Sequence, residues 1–121
     1  MKQSIIRDKS FAFALAVIET TKGLQKEKEF VLSKQLLRSG TSIGANVREA
    51  LNASSLKDFI YKLTISQKEC DESLYWIELL YRSGYIDDLV YVKLKSKAEE
   101  QLRILRSIII TSKKKLAGNN L

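Results

Sequence analysis

The chain has 121 residues, a formal net charge of +7, no histidine, no proline and a single cysteine. That length suits one domain burying roughly two-thirds of its unfolded surface; the lone Cys70 excludes an intrachain disulfide, and the missing histidine removes the commonest general base and the Glu-x-x-His ligands of di-iron bundles. Leu, Ile, Lys, Glu, Ala and Ser dominate and the five glycines are widely spaced, so the composition reads as all-α.

The first helix is predicted over about 5–22, with Ile6, Phe13, Val17 and Leu24 on one side and Gly23–Leu24 as a Schellman stop that brings Leu24 to Ile18. After the charged turn QKEKE, the second helix spans about 29–52 and carries the stripe Leu32, Leu36, Ile43, Val47 and Leu51. The turn NASS ends in Ser55, which with Asp58 makes a capping-box-like start for a third helix over 56–83. Its stripe is Phe59, Leu63, Cys70, Leu74, Ile77 and Tyr81, with Cys70 as a small core residue. Gly84–Tyr85 repeats the stop signal, and Asp87 or Asp88 caps a fourth helix over 88–116, before a frayed tail over about 117–121. Four helices with short connections predict one domain, 1–121, an antiparallel up-down four-helix bundle.

Two helices carry more apolar surface than a bundle core requires. Phe11, Leu15 and Ile18 form a second line on the first helix, and Tyr61, Ile65, Trp76 and Leu79 lie opposite the main stripe of the third. Either these helices are packed on three sides, or the extra faces are subunit contacts of a homo-oligomer, with Trp76 and Tyr61 as anchors.

The second helix contains LLRSGTSIGANVREA, in which Gly40 and Gly44 each cost about 1 kcal/mol of helix propensity relative to alanine. Close packing against a neighbouring backbone would offset that loss. The outer arc, from Arg38 through Ser42 and Ala45 to Arg48 and Glu49, is polar with short side chains, as suits a polar partner held by forked arginine bonds or a solvated face. A third reading makes Arg38, Asn46 and Glu49 a hydrogen-bond network between subunits.

Together with DFIYKLTISQKECDESLYWIELLYRSGYI, that segment resembles the bacterial four helix bundle protein family, also called 23S rRNA intervening-sequence proteins. The family is related to the accessory variability protein of diversity-generating retroelements, and the likeness covers about residues 5–112. The resemblance implies an up-down bundle assembled into a ring-like homopentamer, with no established enzyme activity. It also implies relatives in retroelements that form basic barrels binding nucleic acid and a reverse transcriptase. The family motif falls on Ser42, Ile43, Asn46 and Glu49, and its aromatic and leucine pattern on Tyr75, Trp76, Leu79 and Leu80. Many members have proline where this chain has Gly44 and glycine where it has Ala50.

Charge is unevenly placed: residues 1–92 hold 13 basic and 12 acidic groups, and 93–121 hold 8 basic and 2 acidic groups. Lys95, Arg103, Arg106, Lys113 and Lys114 occupy the arc of the fourth helix away from Leu94, Ala98, Leu102, Leu105 and Ile109. With Arg38 and Arg48 they are the candidate nucleic-acid contacts of a non-catalytic homo-oligomer acting on RNA or DNA. No aromatic is interleaved with these lysines, which argues against base stacking on single strands. The alternative is an oligomeric scaffold that uses the same helices to hold a protein partner. Salt separates the two, since phosphate contacts weaken steeply with it and apolar contacts do not. Catalysis is poorly supported, because Glu69 and Glu72 read as partners of Lys68 or of a neighbouring helix, and no metal or other cofactor is expected. No apolar run reaches the roughly 18 residues of a membrane span, and the opening MKQSIIRDKSF has charges where a signal peptide needs its apolar stretch. A cytoplasmic protein without a membrane partner is expected.

Overall fold

A computed structural model describes residues 2–119, with side chains over 5–118. It contains α1 (Lys2–Lys26), α2 (Val31–Leu51), α3 (Leu56–Arg82) and α4 (Asp88–Asn119), and no strand among the described residues. The chain is an all-α four-helix bundle. Helix α4 extends past the expected end at 116, and residues 120–121 of the expected tail lie outside the described residues.

The first helix does not stop at Gly23. Leu24 shares the face of Phe13 and Val17 and is 3% exposed, so burying it carries α1 on to Lys26. The Schellman geometry falls at Lys28, whose φ is 65°: its amide donates to the Gln25 carbonyl at 2.9 Å, and the Glu29 amide donates to the Leu24 carbonyl at 2.9 Å. A left-handed lysine costs roughly 1–2 kcal/mol. Glu29 offsets part of this by receiving the Ser33 and Leu32 amides on its carboxylate at 2.7 and 3.2 Å. Those bonds satisfy two open donors of α2, which therefore begins at Val31 instead of 29.

The other ends follow their sequence signals. The Asp58 amide donates to the Ser55 hydroxyl at 3.0 Å, though the Asp58 carboxylate returns no bond among the described residues. At Gly84, with φ 84°, the amides of Gly84 and Tyr85 donate to the carbonyls of Tyr81 and Leu80, and the Val90 amide donates to the Asp87 carboxylate at 2.9 Å.

Helices α1 and α3 each pack against both α2 and α4. Small residues set the closest approaches. A Cβ on Gly40 would lie 2.8 Å from Val17 Cγ2, and one on Gly44 would lie 3.3 Å from Ser10 Oγ. On the other flank of α2, the Ser39 and Ser73 hydroxyls meet at 2.9 Å and the Ser66 hydroxyl donates to the Ile43 carbonyl at 2.9 Å. In these pairs residue numbers rise along α2 as they fall along its neighbour. Between α3 and α4, Tyr81 stacks on Tyr91 with ring centroids 3.9 Å apart and donates its hydroxyl to Asp88 at 2.6 Å. Cys70 donates its thiol to the Ala98 carbonyl at 3.2 Å, and burial pushes that thiol up to about 12, so it stays protonated.

The core face of α3 is rotated from the expected stripe. Ile60, Leu63, Ser66, Cys70, Ser73, Ile77 and Leu80 are buried, whereas Phe59, Leu74 and Tyr81 are only partly buried. Two serines in the centre of the face hide its phase from a purely apolar count. On α2, Leu51 is exposed and Ala50 takes its place in the core. Gln101 is fully buried; its amide reaches the Lys97 carbonyl at 3.4 Å, while its Oε1 has no partner among the described residues.

Three substitutions check this packing by urea denaturation. Gly40→Ala should lose about 1–3 kcal/mol, because the stiff Val17 branch cannot swing clear of the new methyl. Gly23→Ala should gain about 0.5–1 kcal/mol, since nothing lies within 4 Å of its Cβ position in the interior of α1. Gln101→Leu should gain about 1–2 kcal/mol by removing the orphaned acceptor; a loss would mean that the amide is holding the helices together.

Candidate nucleic-acid interface

The basic residues of α4 fall into two groups. Arg103, Lys113 and Lys114 are exposed and make no ion pair or hydrogen bond among the described residues. Arg106 is exposed but faces Asp71 of α3 at 3.8 Å, and Lys95 is half-buried with its ammonium 5.6 Å from the centre of the Tyr91 ring. The outward ridge of α4 is also not purely basic, for Leu89, Val92 and Ile110 are exposed along it.

The two arginines of α2 are both engaged. Arg38 donates to Glu69 at 3.1 Å and to Glu72. Trp76 donates its indole N–H to the same Glu72 oxygen at 3.0 Å. The Glu-x-x-Glu pair of α3 thus serves a neighbouring helix, and Arg38 faces two carboxylates instead of open solvent. Arg48 lies over the Phe11 ring at 5.3 Å, which leaves its charge intact but directs it at α1. Among the described residues no group of three or more His, Cys, Asp or Glu side chains is arranged to hold a metal ion.

The extra apolar faces are partly absorbed into the bundle. Ile18, Ile65, Trp76 and Leu79 are half-buried, while Phe11, Leu15 and Tyr61 remain 52%, 54% and 62% exposed. Tyr75 is exposed beside Trp76, in an edge contact at 5.0 Å. Val31, at the first position of α2, and Phe30 before it are exposed too, and neither is flagged by a periodic pattern, since both sit at a helix start.

Residues 2–107 match the family described as 23S rRNA-intervening sequence protein. The chain belongs to that family. It is also similar to the crystal structure of a protein of unknown function from the S23 ribosomal protein family of Bacteroides thetaiotaomicron VPI-5482, with 49% identity and a TM-score of 0.88 over 90% of this chain and 98% of that one. No curated protein is similar to it.

In this chain the polar motif residues bond within the molecule. Asn46 donates to the Ser42 carbonyl at 2.9 Å and Ser42 donates to the Arg38 carbonyl at 2.6 Å, both along α2. Glu49 accepts from Lys62 of α3 at 3.0 Å, and Ile43 is fully buried. Lys62–Glu49 and Arg38 with Glu69 and Glu72 therefore bracket the α2–α3 seam with ion pairs towards each end.

Bonds from Trp76 and Arg38 hold the Glu72 carboxyl below its ordinary value of 4.5, with desolvation acting against them. Because the folded value is the lower one, this stabilisation is present above 4.5 and is lost as pH falls through the folded value. Trp76 fluorescence should therefore change only below pH 4.5. In Arg38→Ala the transition should move to higher pH, at a stability cost of at most about 1 kcal/mol for a solvent-facing pair. An unmoved transition would show that the Trp76 bond alone sets it.

Proposed function

We propose that this chain is a non-catalytic, cytoplasmic, homo-oligomeric helical bundle that binds RNA or DNA through the basic surface of α4. The observation that carries the reading is the group Arg103, Lys113 and Lys114, exposed on one helix without a carboxylate partner among the described residues. Such cations are available to phosphates, whereas Arg38 would have to give up Glu69 and Glu72 first. Oligomerisation would repeat the charge around an assembly and raise its field. In favour of assembly are the exposed Phe11 and Leu15 on α1 and Tyr61 and Tyr75 on α3. The same exposed aromatics favour the second reading, a scaffold for a protein partner. Family resemblance adds the homopentamer as the assembly to test first.

Light scattering and RNA binding at several salt concentrations separate these readings. Binding of the unmodified protein to a structured RNA should weaken by about 0.9 log units per log unit of salt for each phosphate contacted, and a charge reversal combining Arg103→Glu, Lys113→Glu and Lys114→Glu should abolish it. Arg48→Ala should leave binding within about twofold, a change under 0.5 kcal/mol. Leu15→Asp and Trp76→Ala should shift the particle towards monomer. Binding that ignores salt, or survives the triple reversal, would remove the nucleic-acid reading and leave the scaffold.

A further inference from the structure

We infer that the cleft between the α2–α3 turn and the C-terminal part of α4 is a phosphate-binding site built from Ser112, Lys115 and the first turn of α3. The cleft, of about 460 Å³, is lined on its polar side by Ser54, Ser55, Ser112 and Lys115 and on its apolar side by residues that include Leu56 and Phe59. Among the described residues no carboxylate lines it. The charge balance differs elsewhere: the cleft between α1 and the start of α4 is lined by Glu19, Glu27 and Asp87 beside Lys93, and would repel an anion.

Ser112 is the deciding residue. It occupies the core phase of α4, following Leu105 and Ile108, and is 8% exposed, yet its hydroxyl has no hydrogen bond among the described residues. Buried serines elsewhere in the bundle bond a carbonyl one turn back, as Ser33, Ser39 and Ser73 do. Among the described residues only Gln101 Oε1 is both unpartnered and fully enclosed, so the open Ser112 hydroxyl, on a residue otherwise buried, is accessible to a bond from outside the chain. Because Ser112 lines the cleft, what it meets is whatever enters there.

The remaining parts suit an oxyanion. At the start of α3, the Asp58 and Phe59 amides are taken by Ser55, and those of Leu56 and Lys57 are open. The opposing dipole, at the C-terminus of α2, is blunted by bonds closing on it. The Asn52 and Ala53 amides donate to the Glu49 and Ala50 carbonyls, and the Asn52 side chain donates to that of Arg48. Lys115 adds a full positive charge one turn beyond Ser112. Ser112 and Lys115 are on α4 in the same C-terminal stretch as Lys113 and Lys114, so a backbone phosphate held in the cleft would anchor a nucleic acid running along that helix. Only this choice of source rests on the proposed function; the cleft itself does not.

The test is titration of the whole protein with inorganic phosphate, against sodium chloride of equal ionic strength, read from backbone amide shifts. Saturable shifts at Leu56, Lys57 and Ser112 with phosphate and not chloride are expected. Ser112→Ala and Lys115→Gln should each weaken phosphate by about tenfold, the loss of one charge-assisted or buried hydrogen bond. Ser112→Ala should do so without lowering the melting temperature, because no bond within the chain is lost. Equal shifts with chloride, shifts confined to Lys113 and Lys114, or phosphate binding unchanged in both variants would overturn the site. The two variants are then tried with a short RNA duplex. Weakened RNA binding identifies the phosphate as that of a nucleic-acid backbone. Unchanged RNA binding assigns the cleft to a free phosphate compound, and no RNA binding by the wild type would end the nucleic-acid reading while the phosphate site stands.

Discussion

The bundle depends on how closely α2 is approached from both sides. Val17 sits where a Cβ on Gly40 would be, Ser10 closes on Gly44, and the serines at 39, 66 and 73 bring α3 in on the other flank. Small side chains at these positions let helix backbones come together and extend dispersion contacts along the seam. The propensity lost at two glycines, about 2 kcal/mol, is offset by packing that a larger residue would block. Buried hydroxyls accompany this arrangement because serine is small and can return its hydrogen bond to the helix backbone.

The same proximity decides which charges are available. With α2 and α3 drawn together, Arg38 reaches both Glu69 and Glu72, and Lys62 reaches Glu49. The seam is therefore closed at its outer edge by complementary charge, and its arginine is directed along the protein surface into carboxylates. Helix α4 has fewer such partners towards its C-terminus. Only Asp71 faces Arg106, and beyond it Lys113, Lys114 and Lys115 meet no carboxylate among the described residues. An excess of positive charge in the sequence becomes a local property of one end of one helix.

Trp76 illustrates how a residue can serve both core and surface. Its ring packs against the core while its N–H holds Glu72, so the indole fixes the carboxylate that receives Arg38. Any subunit contact through this region would include a rigid aromatic whose polar edge is already satisfied, with Tyr75 exposed beside it. Of the extra apolar faces on α1 and α3, Phe11, Leu15 and Tyr61 keep more than half of their surface uncovered.

Four helices, two of their three connections and most of the core of α1 and α4 can be read from the sequence, because apolar period and capping residues act locally. The stop after α1 cannot, since Gly23 is an adequate local signal and only the burial of Leu24 overrides it. The phase of α3 is similarly concealed, for Ser66 and Ser73 are core residues only where α2 is near enough to need small ones. Candidate cations are visible in sequence as charges, but a charge carries no record of its partner: Arg38 and Arg103 look alike until the fold puts two carboxylates beside one of them. Ser112 is visible as a polar residue on an apolar stripe, and its meaning emerges only when the α2–α3 turn closes over it. Local chain chemistry determined the elements of this protein, while pairing, burial and the set of unpartnered groups were decided by tertiary structure, because each depends on residues distant in the chain.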